Sequence, residues 1–152
     1  MRIHIKKLKS DAIIPSYGHP GDIGLDLYSL EDYTLQPGER HVFFHGFAME
    51  FPEGYGAIVK DKGGPSGKFG VATIGGVFDA GYRGEYNSCL INLGDEPFPV
   101  KKGQKIAQLI VIPVVIATFE EVDELSDSAR GDGKYGSTGI FHNSSVGYEA
   151  LS

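Results

Sequence analysis

Short apolar or alternating runs, each cut off by glycine or proline, recur along this chain and leave little room for anything but strands. Arg2-Ile3-His4-Ile5-Lys6 alternates polar and apolar side chains, and β-branched or aromatic runs follow at Leu25–Leu30, His41–Phe51, Gly56–Val59, Val71–Phe78, Tyr86–Leu93 and Ile106–Ile116. Between them stand Pro37-Gly38, Pro52-Glu53-Gly54, Ala80-Gly81, Gly94-Asp95 and Lys102-Gly103, turn signals that account for much of the total of 22 glycines. No stretch of ordinary helix length carries a 3.6-residue period, and there is no repeat or heptad. The pattern predicts an all-β, jelly-roll-like sandwich or barrel in which any helix is short.

At 152 residues the chain is expected to form a single domain, large enough to bury a core without staples. Its parts are read as a β core over about 1–118, an acidic connector over 119–129, and a mobile glycine-rich arm and tail over 130–152. The connector holds Glu120, Glu121, Asp123, Glu124 and Asp127 among few apolar residues. A net charge of −6 argues against a nucleic-acid backbone as partner, so any phosphate site must be locally basic. The lone Cys89 excludes a disulfide framework, and no charged-then-apolar leader opens at Met1-Arg2-Ile3-His4, so a reducing cytoplasm is expected. Leu109 to Ala117, the longest apolar run, has nine residues with Pro113 inside it, against the ~20 needed to cross a bilayer. Cys89 itself reads as a small core residue of a strand, and the five histidines show no zinc spacing.

Two segments carry chemistry. Arg130-Gly131-Asp132-Gly133-Lys134-Tyr135-Gly136-Ser137-Thr138-Gly139 combines four glycines, whose backbone N–H groups are free to crowd an anion, with two hydroxyls and two cations. From composition alone it reads equally as a phosphate clamp, with Tyr135 laid on a flat heterocycle, or as a flexible Gly/Ser tail. The second segment, Gly75 to Glu85, reads as a hairpin whose strand ends in Asp79, turns at Ala80-Gly81 and resumes beyond Gly84. Its exposed backbone edge suits the donor and acceptor pattern of a base, and Asp79 suits proton abstraction from water. Taken singly, Asp79 reads as turn chemistry, Tyr82 as a half-buried strand aromatic and Gln108 as a surface strand residue.

Together these segments resemble the trimeric dUTPases. The motifs that carry the resemblance are Gly76-Val77-Phe78-Asp79-Ala80-Gly81-Tyr82-Arg83-Gly84-Glu85 and the decapeptide at 130–139, joined by Ile23-Gly24-Leu25-Asp26-Leu27 and Gly103-Gln104-Lys105-Ile106-Ala107-Gln108-Leu109-Ile110. The resemblance implies hydrolysis of dUTP to dUMP and pyrophosphate in a homotrimer with shared sites. Asp79 would be the general base, and Asp26 would order the water shell of Mg²⁺. Tyr82 would exclude a 2′-hydroxyl. Backbone from Thr73 through Gly76, Val77 and Phe78 to Asp79, with Asn87, would pair with uracil. Gln108, Arg130, Gly136, Ser137 and Thr138 would hold the phosphates while Tyr135 covers the base. Alternatives are a nucleotide-binding regulator with weakened turnover, or a relative of the dCTP deaminases, whose catalytic glutamate is replaced here by Cys89.

The chain departs from the family at its second motif. Where Pro-Arg-Ser-Gly-Leu is usual, Asp61-Lys62-Gly63-Gly64-Pro65-Ser66-Gly67-Lys68 stands. An ungapped count back from Asp79 puts Lys62 at the arginine, Gly63 at the serine and Gly64 after it, whereas a shifted alignment lets Ser66 supply the hydroxyl. Three glycines and a proline also weigh against the helical turn expected here. Lys134 replaces a clamp glycine.

Overall fold

The computed structural model describes residues 1–128 and 131–132. Its regular elements are β1 (His4–Lys7), β2 (Ser16–Tyr17), β3 (Leu25–Tyr28), β4 (Tyr33–Leu35), β5 (Arg40–Phe44), β6 (Phe47–Glu50), β7 (Tyr55–Asp61), α1 (Gly63–Phe69), β8 (Val71–Ile74), β9 (Val77–Phe78), β10 (Asn87–Asn92), β11 (Phe98–Val100) and β12 (Lys105–Pro113). Every pairing is antiparallel. The sheets run β2-β3-β12-β7-β9, β5-β10-β8, β1-β6 and β4-β11, an all-β, jelly-roll-like arrangement as the sequence predicts. Among the described residues no helix is long and apolar enough to cross a membrane.

Alternation sets the core. On β10, Ser88, Leu90 and Asn92 point inward while Asn87, Cys89 and Ile91 are half-buried on the other face, and on β5 only Phe43 is fully enclosed. Leu27, Leu35, Phe43, Phe47, Val59, Tyr86, Leu90, Ile106 and Leu109 fill the interior. Cys89 therefore lies between Val42 and Ile74 in the ladder, on the sheet's outward face rather than in the core. Among the described residues the buried side-chain polar atoms are paired within the fold except the Tyr86 hydroxyl. His45 accepts on Nε2 from Ser88 Oγ at 2.7 Å and donates from Nδ1 to the Tyr28 carbonyl at 2.9 Å. Burial, only partly offset by that carbonyl, pushes its pKa down to about 4, so the ring is neutral.

Three expectations change. The run His41–Phe51 is two strands, because Gly46 takes φ 74° and a Cβ there would press on Leu30 and Ala12; β5 pairs with β10, whereas β6 pairs with β1. Val71–Phe78 also divides, with Gly75 and Gly76 at φ 69° and 86° carrying the chain from one sheet to another. The hairpin mate of β10 is thus β8, with Leu90 opposite Thr73, while β9 joins β7. Finally, Gly63–Phe69 is helical despite its composition. Pro65 sits in the first turn, where its missing N–H costs nothing, and Gly70 in the left-handed region closes the end by donating to Pro65 and Ser66 carbonyls. Phe69 packs against Phe98 at 5.3 Å and ties the helix to the core.

By internal contacts the chain divides into Met1–Ile116 and Ala117–Ser152. Residues 117–128 form no helix or strand and are exposed throughout, in keeping with their acidic composition.

Candidate active site

The predicted site residues gather at two places. The first is a polar cavity of about 390 Å³ lined by Gly18, His19, Asp22, Ile23, Gly24, Asp26, Lys62, Lys105 and Gln108. Asp26 on β3 is 3 % exposed, and its two oxygens receive Lys62 Nζ at 2.5 Å and Lys105 Nζ at 2.6 Å. Burial pushes the Asp26 carboxyl up, but the hydrogen bonds and charges of the two lysines outweigh it and hold the pKa below the usual aspartate value. Lys62 stands at the N-cap of α1, where β7 ends, so the strand-to-helix joint aims it at Asp26. Ser66 lies a turn further into α1 and does not line this cavity. Lys62, which the ungapped count puts at the family's arginine, is thus the second-motif residue that lines this cavity. Gly63 and Gly64 open the helix beside it, and no atom within 4 Å would meet a Cβ at either.

Gln108 faces the same cavity across the ladder from Asp26 and Lys60. Its Nε2 donates to the Asp61 carbonyl at 2.7 Å, leaving its oxygen on the side of Gly24, where any Cβ would overlap it. Asp61 in turn binds both the N–H and the hydroxyl of Thr73, at 2.7 and 2.6 Å. Burial raises the Asp61 carboxyl and these two bonds more than reverse it. Both Thr73 donors are thus committed inside the protein. Lys105 and Asp61 escaped sequence reasoning as functional positions; Lys105 sits within the Gly103–Ile110 motif, so the signal was present but its partner lay far away in the chain.

The second place is a cleft of about 480 Å³ whose lining includes Tyr55, Gly56, Val77, Phe78, Asp79, Gly81, Val114 and Ile116. Asp79 is exposed at the end of β9, where its carbonyl accepts from Tyr82 N–H at 3.0 Å to close the turn. Tyr82 packs on Phe78 and Tyr86 at 5.5 and 5.8 Å and donates to the Glu85 carbonyl at 3.1 Å. A Cβ on Gly84 would overlap the Tyr82 ring. The Gly76 carbonyl accepts from Val59 N–H at 2.8 Å, and β9 is the outermost strand of its sheet, so its other edge has no ladder partner among the described residues. Asn87 opens β10 opposite Phe44, half-buried. Arg130, Tyr135, Gly136, Ser137 and Thr138 lie outside the described residues.

These two places are far apart on one chain. Phe78 pairs with Ala57 at one end of β7, while Asp26 and Gln108 share a row with Lys60 at the other. Four residues of strand and three strand spacings put Asp79 on the order of 20 Å from Asp26.

Among the described residues no group of three or more His, Cys, Asp and Glu side chains is placed to hold a metal ion. With both Asp26 oxygens on ammonium groups, the described residues offer no inner-sphere cage for a divalent cation at this pocket.

Fold and cavities define an all-β, jelly-roll-like protein with a polar pocket lined by two lysines and two aspartates. The chain belongs to the dUTPase family, whose model matches residues 10–139. It is 45 % identical over 139 residues to the deoxyuridine 5′-triphosphate nucleotidohydrolase of Clostridium tetani, covering 90 % of this chain and 96 % of that one. The protein of the same name from Clostridioides difficile is 46 % identical over 140 residues, with 91 % and 98 % covered. The dUTPase of Staphylococcus bacteriophage 80alpha, solved with dUPNHPP, superposes with a TM-score of 0.83 at 28 % identity over 91 % of this chain and 99 % of that one.

Proposed function

We propose that this chain hydrolyses dUTP, carried as its magnesium complex, to dUMP and pyrophosphate. The observation that carries the reading is the pocket in which Lys62 and Lys105 meet a buried Asp26 with Gln108 on the same lining; the family resemblance assigns Lys62 and Gln108 to the phosphates and Asp26 to the metal's water shell. Water attacks the α-phosphorus and gives its proton to Asp79, an oxygen–phosphorus bond forms, and the bond to the β-phosphate oxygen breaks with pyrophosphate leaving. A magnesium ion brought in with the substrate would neutralise phosphate charge, and Asp26 would meet its water shell only by releasing one of the two lysines now on its oxygens. The free edge of β9 reads the uracil through backbone groups of Gly76, Val77 and Phe78, joined by Asn87, and Tyr82 rests on the deoxyribose and refuses a 2′-hydroxyl. The segment beyond Ser128 supplies Arg130 to the terminal phosphate and Tyr135 to the base, with Gly136, Ser137 and Thr138 donating to the phosphates.

We infer from the family resemblance a homotrimer with shared sites, and the same geometry supports the sharing. The separation of Asp79 from the lysine pocket exceeds the reach from the α-phosphate to the terminal phosphates of one nucleotide, so a working site takes its two halves from different copies. Exposed Val42, Phe44 and Ile74 on the outward face of the β5-β10-β8 sheet offer apolar surface for such contact.

Phosphorus NMR with dUTP, dCTP, dTTP and UTP in separate tubes tests the reading. Pyrophosphate is expected from dUTP alone. Binding of dUTP without cleavage would point instead to a regulator, and ammonia from dCTP to a deaminase. Asp79→Asn is expected to keep dUTP affinity within about threefold while abolishing turnover.

A further inference from the structure

The turn that carries Asp79 and Tyr82 is tied down by a side chain outside both cavities' catalytic groups. Arg83 Nη1 donates to the Ala80 carbonyl at 2.6 Å and to the Tyr82 carbonyl at 3.1 Å, spanning the turn, while Nη2 lies 3.4 Å from Glu50 Oε1 at the end of β6. Glu50 is held in turn across the β1–β6 ladder, opposite His4, whose Nδ1 is 3.8 Å from Glu50 Oε2. Two residues further on, Glu85 receives Gly46 N–H at 2.9 Å and Lys9 Nζ at 3.3 Å. The loop is thus fastened at both ends of its return path to the segment around β6. The other ties of the stretch from Ala80 to Gly84 are all made by Tyr82, whose N–H meets the Asp79 carbonyl, whose hydroxyl meets the Glu85 carbonyl and whose ring packs on Phe78 and Tyr86, while Ala80 and Gly81 have small or no side chains.

We infer that Arg83 is a positioning residue for the reaction: its planar fork holds the Asp79–Tyr82 turn in shape and Glu50 holds the fork. Only a guanidinium does both, since two N–H groups on one nitrogen meet two carbonyls while the second nitrogen faces the carboxylate. The inference rests on the dUTP hydrolysis proposed above. Because the turn carries both the base and the residue that screens the sugar, loosening it acts on rate and sugar selectivity together and leaves the distant lysine pocket alone.

The test compares the parent with Arg83→Ala, Glu50→Ala and the double variant. In Arg83→Ala, kcat for dUTP is expected to fall about tenfold or more, a loss typical of a slightly misplaced catalytic group. The preference for dUTP over UTP in kcat/KM is expected to narrow, inorganic triphosphate affinity to stay unchanged, and added guanidinium ion to restore part of kcat. Glu50→Ala should move the same quantities less, and the double variant no further than Arg83→Ala. Amide exchange at Gly81 and Gly84 should quicken in both single variants. Rates and sugar preference within twofold of the parent, or unaltered exchange, overturn the inference. If Arg83→Ala does not fold, Glu50→Ala decides by the same readouts. Quickened exchange in the variants of a parent that itself cleaves no dUTP would sink the proposed function while leaving the strut standing.

Discussion

Lys62 Nζ lies 2.5 Å from Asp26 Oδ1, joining the start of α1 to the middle of β3 across 36 residues of sequence. With Lys105 on the other oxygen, the carboxylate organises two cations at the mouth of one pocket. Its low exposure makes the pairing matter, because removing the charge leaves two ammonium groups facing each other in a partly dry site.

Asp26→Asn is therefore expected to lower the melting temperature at neutral pH and to weaken dUTP binding. The parent's pKa at Asp26 is held below its unfolded value, so the stabilisation is full above the usual aspartate range and fades as pH falls through the lowered folded pKa. The difference between the two proteins should shrink in acid. Equal melting temperatures at neutral pH would refute a stabilising role for the lysine pairs.

Gly63→Ser adds a hydroxyl where the ungapped count puts the serine of the family's second motif, at a position with open space for a side chain. One hydrogen bond to a charged phosphate is worth about 1.5–3 kcal/mol, so kcat should rise roughly 10- to 150-fold if the contact belongs to the transition state. Steady-state turnover of dUTP by the variant decides it, and an unchanged kcat would show that Gly63 does not face the reacting phosphates.

Gly24→Ala should displace Gln108, since the added methyl overlaps the carboxamide oxygen. A several-fold rise in KM for dUTP is expected, with little change in the fold, because Gln108 is held by a single bond to the Asp61 carbonyl. A KM equal to the parent's would remove Gln108 from the phosphate site.

His45 makes stability pH-dependent. Its folded pKa of about 4 lies below the ordinary 6.5, so between these values the unfolded chain binds a proton that the folded chain does not, and stability falls as pH drops through that window. The loss is on the order of 3 kcal/mol by pH 4 if His45 alone is counted. Urea midpoints at a series of pH values should fall with acid in the parent and fall less in His45→Gln. Parallel curves would assign the acid sensitivity elsewhere.

Alternation and turn residues alone were enough to read the all-β class, and the motifs around Asp79 and Gln108 were legible as short strings because their residues are local. Sheet membership was not. Runs such as His41–Phe51 and Val71–Phe78 carry continuous strand propensity, and the breaks at Gly46 and at Gly75-Gly76 come from backbone angles that glycine permits but does not announce. The helix at Gly63–Phe69 was hidden by poor propensity, which Gly70 capping and Phe69 packing override. Which acids, cations, glycines and aromatics the chain can bring to a site was readable from the string of residues, since that chemistry resides in the side chains. That Asp26 binds two lysines, that Thr73 is spent on Asp61 and that Asp79 stands beside the other end of β7 came from the folded chain alone. Those relationships arise from strand pairing between distant segments, where contact depends on register and sheet order rather than on sequence spacing.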